Sequence, residues 1–209
     1  MPDQRTSTVT SPLSRFRLVH DLAALDQAVY EAVTVTRTPT LDTALRRLSR
    51  AADHSKLSFA AAALLALKPG RPRRAAVLGV AAIGLASAGA NLAGKRLVRR
   101  SRPHRAEDSP FPGRHVPMPA SASFPSGHTA SAAAFAAAVG PMVPVATLPL
   151  GLLAAAVGYS RVHTGVHYPG DVIAGAVLGA GAAATVLAIA GVAGITPPSS
   201  RFRFGRAAD

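Results

Sequence analysis

Ser160-Arg161-Val162-His163-Thr164-Gly165-Val166-His167-Tyr168-Pro169-Gly170-Asp171 sets a cation, two imidazoles and a carboxylate between two long uncharged segments. Thr129 to Ser160 runs for 32 residues without a charge, and Val172 to Thr196 carries none either. Uncharged helices of that length can cross a hydrocarbon core, which places the polar stretch at a membrane boundary. Titratable groups there are costly to desolvate, so they are expected to pair with each other or with a ligand.

Gly140-Pro141 and Pro144 interrupt the 32-residue run near its middle, giving a helical hairpin with arms of about 16 residues, or about 24 Å each. The hairpin returns the chain to the face it left. Ala75 to Gly94 is uncharged over 20 residues and delivers Lys95 at its end, whereas the 11 uncharged residues Leu57 to Leu67 must borrow Asp53 to Lys56 to cross. Upstream, Leu22, Leu25, Val29 and Val33 recur at helical spacing from about His20 to Val35. A second helix from Leu41 opposes Leu41, Ala44, Leu45, Leu48 and Ala52 to Arg46, Arg47 and Arg50, the pattern of a helix lying on a bilayer or on its own protein.

The expected fold is therefore all-α, a polytopic membrane bundle of about five transmembrane helices with N-terminal amphipathic helices. Residues 1–19 read as a flexible tail, 20–55 as interfacial helices, 56–198 as the membrane domain and 199–209 as a basic C-terminal tail. Abundant Ala and Gly suit closely packed helices, with Gly175 and Gly179 as a small-residue contact face.

The 23 basic against 10 acidic residues give +13, which in a soluble chain would first suggest nucleic acid. Here the cations gather at Lys68 to Arg74, Lys95 to Arg105 and Arg201 to Arg206, beside the uncharged runs, as expected of membrane-flanking loops facing anionic lipid. No aromatic platform accompanies them, so nucleic acid is not an expected partner. The absence of cysteine excludes disulfides and thiolate metal sites.

Two upstream clusters supply what the first stretch lacks. Lys95-Arg96-Leu97-Val98-Arg99-Arg100-Ser101-Arg102-Pro103 is dense positive charge, and Phe124-Pro125-Ser126-Gly127-His128 offers a hydroxyl, bare backbone and another imidazole. The hairpin brings all three clusters to one membrane face. Lys95, Arg102 and Arg161 are candidates to surround phosphate oxygens, the arginines by two-point contacts. Arg96, Arg99 and Arg100 read as flanks of a membrane helix. Ser126 and Gly127 precede a helix, so their amides and the Ser126 hydroxyl can face an anion at its positive end. Asp53 and His54 end the second helix and read as capping or pairing groups.

Lys95, six residues, then Arg102-Pro103; Pro125-Ser126-Gly127-His128; and Ser160-Arg161, five residues, His167, three residues, Asp171 match a three-part signature. In these motifs the chain resembles the type-2 phosphatidic acid phosphatase superfamily, over residues 95 to 171. The resemblance implies a lipid phosphate phosphatase without a metal or other cofactor. His167 would be the nucleophile that forms a phosphohistidine, and His128 the acid that protonates the leaving group. Asp171 would hold the His167 tautomer. Members take phosphatidate, phosphatidylglycerophosphate or polyprenyl diphosphates such as undecaprenyl diphosphate, and the short chain resembles the compact bacterial branch acting on isoprenoid carriers in the cell envelope. Alternatives are a vanadate-dependent haloperoxidase-like enzyme and a non-catalytic phospholipid-binding protein.

His163, His167 and Asp171 are also spaced by four, as in a metal site on a helix face, but Gly165, Pro169 and Gly170 argue against a continuous helix. His163 remains near enough to contact substrate. The expected setting is the plasma membrane, with the cations at 68–74 and 201–206 inside and the site on the outer face.

Overall fold

The computed structural model describes residues 12–105 and 111–194. Among them lie seven helices and no strand. They are α1 (Pro12–Val35), α2 (Pro39–Ala51), α3 (Lys56–Ala66), α4 (Arg71–Ala88), α5 (Gly127–Val139), α6 (Pro144–His163) and α7 (Pro169–Val192). A π-helical turn, Gly89–Gly94, extends α4 into Lys95–Leu97. Proline opens α2, α6 and α7, where its missing N–H costs nothing and its fixed φ favours the first turn. Gly140 to Val143 break the long uncharged run, as its glycine and prolines require.

Three stretches are long and apolar enough to cross a membrane: Arg71–Leu97, Pro144–His163 and Pro169–Val192. α3 and α5, at 11 and 13 residues, are not; thirteen helical residues reach about 20 Å against a core of about 30 Å. Val77, Leu92, Leu148, Leu152, Ile173, Val177 and Ile189 on the three long stretches face outward, a belt of side chains suited to lipid.

α5 is the central helix. Its Ala130, Ala134 and Ala138 pack against Ala82 and Ala86 of α4 and Ala182 and Ala183 of α7, an interface of methyl groups that lets the backbones approach closely. Gly175 and Gly179 of α7 lie against the first turns of α5, where a Cβ at Gly179 would run into the Ala130 carbonyl. On the other side of α5, Phe135 and Val139 join Ala62 of α3 and Ala75, Ala76 and Ile83 of α4.

Direction alternates through the bundle. α3 and α5 start at the same end at which α4 and α6 finish and α7 begins, so that end collects Lys95, Gly127, Arg161 and Asp171. α1 and α2 lie across it. The helix read from His20 starts at Pro12, taking in the last residues of the stretch expected as tail; residues 1–11 and the C-terminal basic tail lie outside the described residues. The apolar stripe of α1 remains exposed at Leu22, Leu25 and Val29, while its inward face carries Asp26 and the buried Tyr30.

Candidate active site

The α6–α7 loop is folded tightly enough to aim one imidazole. Gly165 adopts a positive φ of 71°, a conformation that favours glycine, and the Arg161 carbonyl then accepts from the amides of Val166 and His167 at 3.1 and 3.2 Å. His167 is 2% exposed and Asp171 wholly buried. Asp171 caps α7, its Oδ2 accepting from the Tyr168 amide at 3.0 Å and from the Ser123 hydroxyl. The same Oδ2 lies 3.4 Å from His167 Nδ1, within ion-pair reach.

The opposite ring nitrogen, Nε2, lies 3.3 Å from Arg102 Nη1. A guanidinium only donates, so Nε2 carries the lone pair and the proton sits on Nδ1, facing Asp171. Burial pushes the His167 pKa down to about 4; Asp171 opposes that, and the charges of Arg102 and Arg161 add to it. A neutral imidazole with its lone pair turned toward cations is the form a nucleophile requires.

Ser121 links the first two cations. Lys95 Nζ donates to its hydroxyl at 3.2 Å and to Asn91 Oδ1 at 2.7 Å. Arg102 donates to the carbonyls of Ser121 at 2.8 Å and Val166 at 2.7 Å. Arg161 is 3% exposed and donates to Ser49 Oγ at 2.6 Å. Its buried Nε has no partner among the described residues, an expensive omission that an anion's oxygen would repair.

His128, in the first turn of α5, sets Nε2 2.8 Å from Asp53 Oδ1; because a carboxylate only accepts, Nε2 carries a proton. Asp53 also lies 4.0 Å from Arg161. It projects from a junction between α2 and α3 in which His54 and Ser55 both take positive φ, 55° and 59°. Consecutive left-handed conformations outside glycine are rare and mark a constrained segment. Ser126 departs from the expectation that its amide faces an anion, because that amide donates to the Asp171 carbonyl at 2.9 Å. The Ser126 hydroxyl accepts from Thr129 Oγ1 at 3.0 Å and keeps its own hydrogen to donate. Gly127 opens the helix beside it.

Residues 76–194 match the family model described as the PAP2 superfamily. The chain belongs to the PAP2 superfamily. It is similar to a protein of Mycobacterium tuberculosis named decaprenylphosphoryl-5-phosphoribose phosphatase, 41% identical over 101 residues that cover 46% of this chain and 51% of that relative. The chain thus spans about half the length of that curated relative. A protein of the same name from Mycolicibacterium smegmatis is 37% identical over 143 residues, 66% of this chain and 72% of the relative. Among solved structures, the crystal structure of Aquifex aeolicus LpxE superposes with a TM-score of 0.65 at 25% identity, covering 78% of this chain and 95% of that one.

Several groups at this PAP2 site lie outside the motif positions. Arg100, expected to flank a helix, turns inward: it donates to Asp171 Oδ1 at 3.0 Å and Asp26 Oδ2 at 2.6 Å, with its guanidinium 4.1 Å over the Tyr168 ring. Asp26 of α1 also accepts from the Gly170 amide at 2.6 Å. His163 Nε2 meets Asp42 Oδ1 of α2 at 2.9 Å, and Asp42 also pairs with buried Arg114 at 3.1 Å. Arg114 donates to the carbonyls of Val33, Thr34 and Thr36, tying the loop to the end of α1. The spacing of His163, His167 and Asp171 therefore does not converge on one point, and no three such side chains form a metal-holding group among the described residues. The signal available beforehand was scarcity: with few acids in a basic chain, each buried carboxylate had to meet a cation.

Proposed function

We propose that this PAP2 superfamily member is a membrane-embedded phosphatase that removes phosphate from a lipid-carried ester or diphosphate through a phosphohistidine on His167, without a metal. The observation that carries this reading is the ordered line Arg102, His167, Asp171. It presents an imidazole lone pair to a cationic pocket while a buried carboxylate waits behind the other nitrogen.

In the first step His167 Nε2 attacks phosphorus, the bond to the leaving oxygen breaks, and the electron pair stays on that oxygen. Protonated His128, its Nε2–H held by Asp53, gives that oxygen the proton on Nδ1, and Asp171 stabilises the cation forming on His167. Water, deprotonated by His128, then attacks phosphorus and frees His167 and inorganic phosphate. Lys95, Arg102 and Arg161 neutralise the equatorial oxygens, Arg161 through the Nε that lacks a partner, and the Ser126 hydroxyl and Gly127 amide complete the cradle at the start of α5. Among membrane lipids the substrate is isoprenoid-anchored, in keeping with the names of the relatives of 41% and 37% identity.

In this reading α3 and α5 cross in part beside the three long helices, making five passes for residues 56–198, and α1 lies at the lipid surface on its exposed apolar stripe, with α2 beside it. The four cations of the α3–α4 turn stand at the end opposite the site, which by the positive-inside rule supports a site on the outer face of the plasma membrane. Cysteines at Arg71 and at the exposed Met118, labelled from outside intact cells, test this: label at 118 and none at 71 is expected, and the reverse contradicts it. The reaction is tested by phosphate release from a panel of lipid phosphates in detergent with chelator present. Wild type should retain activity and His167→Ala should lose it by at least about a thousandfold; activity abolished by chelation, or preserved in the variant, contradicts the reading.

A further inference from the structure

α2 touches the site at three points, although no motif position lies on it. Its Ser49 accepts from Arg161 Nη1 at 2.6 Å, its Asp42 meets His163 Nε2 at 2.9 Å, and Asp53, just past its end, meets His128 Nε2 at 2.8 Å. One short helix therefore sets the surroundings of a phosphate-binding arginine, of the proposed acid and of a buried imidazole at the end of α6.

The bundle grips this helix weakly. Of its 13 residues only Ser49 is fully buried. Leu45 and Leu48 are half-buried, Ala44 is exposed and Leu41 is 46% exposed. A helix of this length is marginal by itself and takes most of its stability from an apolar face buried against something else. Here the face turned to the bundle carries Asp42 and Ser49, so hydrophobic packing there supplies little, and a second surface is needed to hold α2 in place.

The remaining faces describe that surface. At about 100° per residue, Leu41, Ala44 and Leu48 form a strip along one flank of α2, while Arg46, Arg47 and Arg50 line the other. Arg47 and Arg50 are exposed and Arg46 is half-buried. The nearby carboxylates are turned inward, Asp42 to Arg114 and His163 and Asp53 to His128, and none among the described residues pairs with these three arginines. An anionic bilayer surface complements both flanks, with phosphate oxygens for the guanidinium groups and acyl carbons for the leucines. A soluble acidic partner would leave the aliphatic strip uncovered.

We propose that the arginine flank of α2 docks on anionic phospholipid headgroups and that docking holds Ser49, Asp42 and Asp53 against the site, so that an anionic bilayer activates the enzyme. The activation rests on the phosphatase reading above, and the docking does not. With α2 released, Arg161 loses Ser49 and His128 loses Asp53, which weakens phosphate binding and proton transfer together.

The test reconstitutes the full chain in vesicles of phosphatidylcholine, alone or with about 30% phosphatidylglycerol, and measures kcat/KM for a panel of lipid phosphates at fixed mole fraction. Wild type is expected to gain about three- to tenfold from the anionic lipid and to lose most of that gain in about 0.5 M salt. Arg46→Gln/Arg47→Gln/Arg50→Gln should match wild type in phosphatidylcholine and gain less than about twofold, whereas Lys68→Gln/Arg71→Gln, which removes exposed cations at the opposite end of the bundle, should keep the full gain. In detergent, native mass spectrometry should find phosphatidylglycerol retained by wild type and shed by the arginine variant. No gain in wild type, an equal gain in the arginine variant, an arginine variant already impaired in phosphatidylcholine, or loss of the gain in both variants overturns the proposal. Wild type releasing no phosphate in either vesicle removes the phosphatase reading instead, and equal lipid retention by wild type and arginine variant overturns the docking itself.

Discussion

Replacing Arg100 by Gln tests whether the catalytic loop is held by α1. The Arg100 side chain is 28% exposed and bridges Asp26, 11% exposed, to wholly buried Asp171. Each charge-assisted hydrogen bond contributes about 1.5–3 kcal/mol, giving about 3–6 for the two. Partial exposure reduces that, and Asp171 keeps Ser123, the Tyr168 amide and His167, so the expected loss is about 2–4 kcal/mol. In a chain of this size that lowers the melting temperature by about 5–15 °C in detergent. Arg100→Lys should recover less than half, because an ammonium cannot fork between two carboxylates while stacking on Tyr168. A double-mutant cycle with Asp26→Asn isolates the contact, with a coupling of about 1–3 kcal/mol expected. Arg100→Gln within about 0.5 kcal/mol of wild type, with no coupling to Asp26, would mean that Arg100 is a solvated helix flank and that α1 does not brace the site.

Three further outcomes follow from the same geometry. Because burial holds the His167 pKa near 4, below its ordinary 6.5, the unfolded chain binds the extra proton first. The stability contribution is thus full above about pH 6.5 and is lost as pH falls toward 4, while kcat/KM should fall on the acid side through a group near 4; an acid limb of wild-type kcat/KM near 6.5 would contradict the assignment. Asp53→Asn removes the carboxylate that orients His128, so kcat should drop about 10- to 100-fold with KM changed less than threefold, whereas parallel loss of both would indicate a folding role. Gly179→Leu drives a side chain into the Ala130 carbonyl and should cost about 1–3 kcal/mol or more, read by thermal unfolding, while Gly181→Ala, with open space around it, should be close to neutral.

The parts of this fold written in local sequence were legible without coordinates. Gly140, Pro141 and Pro144 announce a hairpin because no helix passes through them, and that hairpin alone returns Arg161 and His167 to the end where His128 starts. Motif spacing identified His167 and Asp171 as partners because four residues, with Pro169 and Gly170 between them, bring a loop imidazole over a helix cap. Arg100 was not legible among its neighbours: a π-helical turn shifts the register, and the chain leaves the helix after Leu97, so periodicity cannot say which arginine turns inward. Asp26, Asp42 and Asp53 find their partners 144, 121 and 75 residues away, and nothing in the intervening sequence encodes those distances. The apolar stripe of α1 pointed to its outer face, whereas its inner face carries a carboxylate and a tyrosine.

The most direct test of the central claim is to trap the covalent intermediate. Wild type and His128→Ala are mixed rapidly with a lipid phosphate labelled at the terminal phosphorus, quenched in alkali and mapped by peptide mass spectrometry. Phosphoryl label is expected on His167, decaying more slowly in His128→Ala because hydrolysis of the phosphohistidine by water loses its base. Phosphate release with label on another residue, or turnover with none on His167 in either protein, would contradict it.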